Sequence, residues 1–241
     1  MSKTSIEWTE RTWNPIRARN RETSKRGWFC TKVASECKNC YAERMNSGRF
    51  GNGIRYAVDQ ADKVELYLDQ RVLEEPLHIR KPSTFFVCSM TDLYGEFVPD
   101  EWISEVYAVM ALAGALHKGH TFQILTKRPE RRLHFLTQTE EGKGIAAAKY
   151  AHIWEGVSAG TKKCADAYLD ILRQTPAITR WWSAEPLLED VLVRNLNTLL
   201  INWVVVGGES GPDARNNRFV LRLMSYDEAL ALMRSEGGLR N

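Results

Sequence analysis

The sequence predicts an α/β fold built on mostly parallel strands, and three observations carry that expectation. From Thr84 onward short apolar runs alternate with helix-forming segments, the pattern of repeated strand–helix–strand units with right-handed crossovers. Several runs are apolar almost throughout, as expected for strands buried on both faces. The residues that follow the runs are polar and grouped, as they are where a parallel sheet turns its carboxyl ends toward a ligand.

Taken in order, Ile6 to Trp13 reads as a first strand, stopped by the turn-forming Asn14-Pro15 pair. Arg17 to Arg26 is strongly basic without usable periodicity and reads as a loop. A cysteine-bearing stretch follows, and Tyr41 to Met45 then favours a helix, ended by Gly48, Gly51 and Gly53. Tyr56 to Val72 is mixed and partly helical, and Pro76 and Pro82 bracket a linker. Phe85 to Met90 is a strand, and a helix starts at Pro99-Asp100 and runs to about His117. Thr121 to Thr126 is the next strand and a basic helix opens at Pro129, where proline suits the first turn. His152 to Ser158, Ile178 to Ser183 and Trp203 to Gly207 complete six strands, with helices over Lys162 to Arg173 and Asp227 to Glu236. Leu187 to Leu200 fits neither period. Six units are too few for an eight-stranded barrel, which leaves an incomplete barrel or a doubly wound sheet.

At 241 residues the chain suits a single α/β domain, 1–241, with a basic cysteine-containing loop at about 14–40. Its 44% hydrophobic and 26% charged residues exclude disorder as the main theme. The net charge of +3 does not by itself demand a nucleic-acid partner. Charge is concentrated at the start, where Lys3, Arg11, Arg17, Arg19, Arg21, Lys25 and Arg26 face only Glu7, Glu10 and Glu22. No window is apolar enough to span a bilayer, and the charged start is not followed by the apolar run of a signal peptide. A cytoplasmic protein without membrane contact is expected. Five cysteines, three of them clustered, suit metal binding in a reducing compartment better than a disulfide framework.

The cluster is Cys30, Cys37 and Cys40, in CTKVASECKNC. Such short spacings let one loop wrap a metal centre. Three thiols plus one distant ligand would close a zinc site, whereas three on an iron–sulfur cluster leave one iron open. These two readings stand level on the cysteines alone. The strand ends add Ser89-Met-Thr-Asp92, Thr126-Lys127-Arg128, Ser158, Ser183-Ala-Glu185-Pro186 and Gly207-Gly208-Glu209-Ser-Gly211. If the strands are parallel, all of these converge with the cysteine loop on one rim. The glycine-flanked Glu209 would let backbone amides approach a polar ligand, and Lys127-Arg128 could hold a carboxylate or phosphate. An ordinary tight turn and a solvated helix flank account for these features about equally well.

Cys88, inside an apolar strand, reads as a small core residue, and Cys164 has no assigned role. His78, His117, His120, His134 and His152 lack metal-ligand spacing and read as surface or capping residues. Trp8, Trp13 and Trp28 border the basic segment, and bases could stack on them; core packing explains them equally. With Arg17, Arg19, Arg21, Lys25 and Arg26, Trp28 forms a candidate nucleic-acid contact.

In combination, Trp13-Asn-Pro15, CxxxxxxCxxCYAE (Cys30 to Glu43), SMTDL (Ser89 to Leu93), LTKRPER (Leu125 to Arg131), GVS (Gly156 to Ser158), SAEPLL (Ser183 to Leu188) and VVGGESGP (Val205 to Pro212) resemble the uncharacterised phage-type radical-SAM-like protein family. The resemblance covers about residues 5–215. It implies a partial (β/α)6 TIM-like barrel of radical-SAM type, a 4Fe-4S cluster on Cys30, Cys37 and Cys40, and S-adenosylmethionine (SAM) on the open iron. Tyr41, Ser89, Asp92, Lys127, Ser158, Glu185, Gly207, Gly208 and Glu209 match its motifs as inferred cofactor-binding residues. The implied chemistry is reductive cleavage of SAM to a 5′-deoxyadenosyl radical, fed by an electron donor and acting on an unknown substrate, with nucleic acid a candidate. The alternative is a zinc- or cluster-stabilised nucleic-acid-binding or accessory protein of phage origin without catalysis. The first cysteine gap holds six residues, where the commonest radical-SAM loop has three. The family's aromatic, lysine-containing tail is not found before Asn241, so a truncated or divergent C-terminal end is expected.

Overall fold

The computed structural model of the protein describes residues 2–194, 200–215, 219 and 221–224. In chain order the first elements are β1 (Ser2–Lys3), β2 (Arg11–Trp13), β3 (Ile16–Asn20), β4 (Arg26–Gly27), helix α1 (Tyr41–Ser47), β5 (Val64–Leu68) and the single-turn α2 (Gln70–Leu73). The alternating part follows as β6 (Thr84–Val87), α3 (Asp100–Leu116), β7 (Thr121–Thr126), α4 (Pro129–Gln138), α5 (Glu140–Ala148), β8 (Ile153–Ser158), α6 (Lys162–Gln174) and β9 (Thr179–Ala184). β10 (Val191–Arg194), β11 (Trp203–Val206) and β12 (Leu221–Met224) complete it.

The main sheet runs β1-β2-β6-β7-β8-β9-β11. Every pair from β2 to β11 is parallel, and β1 adds an antiparallel edge. The six expected parallel strands are therefore present and adjacent in chain order. Their register fixes the two faces. Phe85, Val87, Phe122, Ile124 and Ile153 lie on one face and pack with Ile103, Val106, Tyr107, Met110 and Ala113 of α3 and with Phe135 and Leu136 of α4. Val157, Trp182 and Ala184 continue that face and pack with Ala165, Leu169 and Leu172 of α6. Placing the main helices on one side, with no reversal of strand order, excludes the doubly wound alternative among the described residues.

The other face carries Phe86, Trp154, Trp181 and Trp203. Trp8 lies against it, with ring centroids 4.8 Å from Phe86 and 5.0 Å from Trp181. Trp203 joins Trp181 at 5.3 Å and Trp154 at 5.6 Å. These rings fill the end of the face near the strand starts, and Trp8 Nε1 donates to the strand-end Glu185. Gly156 makes room for the cluster, since a Cβ there would stand 2.4 Å from the Trp181 indole.

Several expectations need correction. The segment Arg17 to Arg26 is not a loop: β3 lies between β4 and β5 in a three-stranded antiparallel sheet. Ile16, Ala18 and Asn20 are buried while Arg17 and Arg19 turn outward, a two-residue period hidden by the density of arginine. The first strand holds only Arg11–Trp13, because the chain turns before Thr9, where a backbone hydrogen bond joins Thr9 N–H to Ile6 C=O. The Phe85 run leaves the sheet after Val87, with Cys88 buried at φ 55° beyond the strand end rather than inside it. Trp13 is fully buried and Trp8 is part of the indole cluster, so neither is a platform for bases. His120 is buried rather than superficial, its ring held by Ile79 C=O and the Ser83 N–H. The Pro76–Pro82 linker contains a short 3-10 turn, and the ambiguous stretch supplies β10, which pairs in parallel with β12. The helix expected over Asp227 to Glu236 lies outside the described residues. No described helix is long and apolar enough to cross a membrane.

Replacing Gly156 with alanine would force the new methyl group into Trp181 and destabilise the fold by about 1–3 kcal/mol. Urea unfolding measures it as a lowered midpoint with an unchanged slope; an unchanged midpoint would contradict the packing described.

Candidate functional site

The thiol loop leaves β4 and is pinned to successive strand ends. After β6, Thr91 Oγ1 donates to Phe29 C=O at 2.5 Å. After β7, Arg128 donates to Thr31 C=O at 2.9 Å and Thr31 Oγ1 at 2.7 Å, and its Nη1 lies 3.9 Å from Cys30 Sγ. After β8, Glu36 accepts from the Gly160 N–H at 2.9 Å and from Thr161 Oγ1 at 3.3 Å. After β11, Glu209 accepts from Asn39 Nδ2 at 2.9 Å, and Asn39 also donates to Asp213 C=O. The loop thus spans the rim, as the parallel sheet requires.

Asp92 and Arg128 form the centre of this arrangement. Both are buried, and they pair at 3.0 Å. Asp92 also accepts from Thr126 Oγ1 at 2.7 Å and from the backbone N–H groups of Tyr94 and Lys127. Arg128 reaches Glu96 with Nε at 2.8 Å. Burial opposes the Arg128 charge, but Asp92 and then Cys30 raise its pKa above the ordinary value. Asp92 therefore works as an organiser whose oxygens are already engaged by the chain.

Burial pushes the Cys30 thiol up to about 12 against the pull of Arg128, and Cys40 and Cys37 are near enough to add to the rise. Burial also raises Cys40, with the Glu43 backbone N–H and the Lys127 charge pulling the other way. Three thiols on one loop, near enough to affect one another's charge and with Arg128 and Lys127 acting on Cys30 and Cys40, suit a soft, thiolate-bound group in donor type. Binding such a group would displace the thiol protons. Among the described residues no set of three or more His, Cys, Asp or Glu could hold a metal ion as placed. The fit is therefore one of donor chemistry and position, not of a formed cage.

The other predicted residues fall into two neighbouring groups. Tyr41 donates to Ser89 C=O at 2.6 Å, and Asn14 bonds the Ser89 hydroxyl and the Met90 N–H. Burial raises the Tyr41 phenol, and the Cys40 and Glu185 charges add to the rise. In the second group Ser158 Oγ donates to Glu185 C=O, and the Glu185 carboxylate accepts from Trp8 Nε1 and Ser183 Oγ, both at 3.1 Å. A Cβ on Gly207 would come within 2.5 Å of Glu185 Oε1, so any larger residue there would push that carboxylate aside. Gly208 is exposed, whereas Glu209 is buried and bound by Arg215 through Nε at 3.0 Å and the backbone N–H at 2.8 Å.

The basic residues do not share this rim. Arg17 stacks over Trp28 at 4.3 Å, Arg19 lies over Tyr67 at 5.5 Å and pairs with Glu65 at 3.4 Å, and Arg21 Nε donates to Val64 C=O. Lys25 and Arg26 are exposed. Trp28 nevertheless packs in the same cluster as Cys30, Cys40 and Tyr41, so the basic sheet borders the thiol loop. Sequence reasoning missed Glu36, Asn39 and Arg215 as loop clamps. Only the position of Glu36 and Asn39 between cysteines hinted at a role, and nothing local marks Arg215. Cys164, left unassigned, donates weakly to Glu36 at 3.7 Å.

Together these features define an α/β protein with a thiol-bearing loop fastened over the carboxyl edge of a parallel sheet. The chain belongs to the family described as "Protein of unknown function (DUF5131)", whose model matches residues 3–220. Comparisons with curated proteins and with solved structures returned no match.

Changing Arg128 to methionine would leave Asp92 buried without its partner and cost about 3–5 kcal/mol. Breaking the exposed Arg173–Asp170 pair with Arg173→Ala should cost at most about 1 kcal/mol. Chemical unfolding of both variants checks the contrast.

The Arg215 hydrogen bonds, opposed by burial, hold Glu209 at about 2, below its ordinary 4.5. A lowered carboxylate pKa stabilises above the ordinary value, and that stabilisation fades as pH falls through about 2. The stability gap between wild type and Arg215→Gln should therefore narrow from pH 4.5 to pH 2. A gap constant over that range, measured by unfolding at each pH, would show that the Glu209 charge is not its source.

Proposed function

We propose that the protein is a radical-SAM-type iron–sulfur enzyme and that its one-sided sheet curls into a partial (β/α)6 TIM-like barrel. The observation that carries the reading is the fastening of a three-thiol loop to the ends of β6, β7, β8 and β11. An isolated zinc clip has no need of that span, whereas a cofactor reacting over a sheet mouth does. Monotonic strand order and helices on one face support the curl. On this reading Cys30, Cys37 and Cys40 hold a 4Fe-4S cluster, and three protein ligands leave one iron for SAM. The chemistry such a bound cluster would supply, given an external electron donor, is reductive cleavage of SAM to methionine and a 5′-deoxyadenosyl radical able to take hydrogen from a substrate.

The chain's own residues supply placement and field. Arg128 holds the Cys30 segment, and its charge, with that of Lys127, favours thiolate over thiol. On this reading the Gly207-Gly208 backbone, Glu185, Ser158 and Tyr41 would hold the polar parts of SAM, and Ser158 already fixes the Glu185 backbone. The indole cluster below closes the far end of the face and keeps water from the reacting centre. A reducing, cytoplasmic setting goes with this reading.

Anaerobic reconstitution should load about four irons and four sulfides per chain, and SAM with dithionite should then yield 5′-deoxyadenosine. Cys30→Ala, Cys37→Ala and Cys40→Ala should each abolish both. Stoichiometric zinc without iron would sink the reading in favour of a zinc-stabilised accessory protein. A full cluster that never yields 5′-deoxyadenosine would reduce it to a redox or binding role.

A further inference from the structure

The small antiparallel sheet presents chemistry that the thiol site does not use. Along β3 the outward residues are Arg17 and Arg19; the register sets Arg17 opposite Tyr67 of β5 and Arg19 between Glu65 of β5 and Arg26 of β4. Trp28, just past β4, joins this patch by stacking with Arg17. The patch holds three arginines and one acid. Glu65 engages Arg19, and among the described residues no carboxylate is paired with Arg17 or Arg26.

Three polar atoms there, Arg17 Nε, Trp28 Nε1 and Tyr67 Oη, are buried without a hydrogen-bond partner among the described residues. Arg17 Nε and Trp28 Nε1 can only donate, and the Tyr67 hydroxyl can also donate. Buried donors are ordinarily satisfied, so acceptors are what this face lacks. Positive charge, aromatic rings and unused donors on one surface match a ligand that carries anionic acceptors and flat bases.

We infer that the outer face of the β4-β3-β5 sheet, centred on Arg17, Trp28 and Tyr67, binds single-stranded nucleic acid and leads it toward the thiol rim. The direction follows from Trp28, which packs with Cys30, Cys40 and Tyr41. A single strand is favoured over a duplex because the patch mixes rings with cations on one face of a short three-stranded sheet, whereas a duplex hides its bases from stacking. The role of the strand as substrate rests on the enzymatic reading above; its binding does not.

The test uses the full reconstituted chain without SAM and fluorescein-labelled mixed-sequence oligonucleotides of about 20 nucleotides, longer than the ~4–16 that one small binding fold covers. DNA and RNA arms identify the sugar, and arms with a duplex and with inorganic phosphate compete for the face. Anisotropy should show binding whose logarithmic salt slope is about −0.7 for each phosphate neutralised, or about −2 for three arginines. Arg17→Gln with Arg26→Gln should flatten that slope by about 1.4 and weaken binding about tenfold at low salt, while Lys143→Gln on the exposed side of α5 should change neither. Tyr67→Phe, which keeps the ring and its packing and removes only the hydroxyl, supplies a second variant and should weaken binding about two- to fivefold, the loss of one hydrogen bond.

Absence of binding at low salt, a slope near zero, equal losses in Lys143→Gln, or stronger binding of the duplex than of the single strand would each overturn the inference. Full displacement by inorganic phosphate at the concentration of oligonucleotide phosphate would overturn it as well. Loss of binding with 5′-deoxyadenosine still formed removes this inference alone, and binding without 5′-deoxyadenosine removes the enzymatic reading alone.

Discussion

The buried pair of Arg128 and Asp92 is the interaction on which the rim depends. Asp92 follows β6 and Arg128 follows β7, so their ion pair ties two adjacent strand ends. Thr126 and the Lys127 N–H bond the same carboxylate and fix its position. The other arm of the guanidinium holds the backbone of Thr31, next to Cys30. Arginine suits this place because its planar fork offers five donors in fixed directions. A lysine would give one point charge and could not join sheet and loop in the same way. Two charges buried together stabilise little by themselves, but losing either leaves the other stranded, which makes the geometry hard to vary.

Around that pair the fold separates packing from chemistry. Helices on one face of the sheet supply most of the apolar core, through Phe85, Phe122 and Ile124 at one end and Val157, Trp182 and Ala184 at the other. The opposite face is closed near the strand starts by Trp8, Trp181 and Trp203. Its carboxyl end carries most of the polar side chains, with Gln123 set among the rings and bonded to Trp8 C=O. Glu36, Asn39 and Arg215 then bring distant parts of the chain to the thiol loop, so three cysteines close in sequence are held by residues that are not.

Much of this organisation was legible in the residues. The strands of the alternating half were readable because a parallel strand covered on one side by helices and on the other by indoles carries continuous apolar character, and Pro99 and Pro129 mark helix starts plainly. The thiol loop was legible from its spacing, and the strand-end residues from their position after each run. The basic β-sheet was not, because Ile16, Ala18 and Asn20 alternate with arginines whose charge masks the period. Trp8 and Trp13 stayed ambiguous for a related reason: an indole beside charged residues suits a surface ring or the core equally, and only the fold shows one inside the indole cluster and the other in the core.

By itself the sequence determined the α/β class, the six parallel strands, the thiol loop and the polar strand ends, because those follow from local periodicity and from what a buried parallel strand must be made of. Tertiary structure alone decided that the helices share one face, that Asp92 is spent on Arg128, and that Glu209 and Glu36 clamp the loop. Each of these joins residues far apart in the chain, and a long-range contact leaves no local pattern from which it can be read.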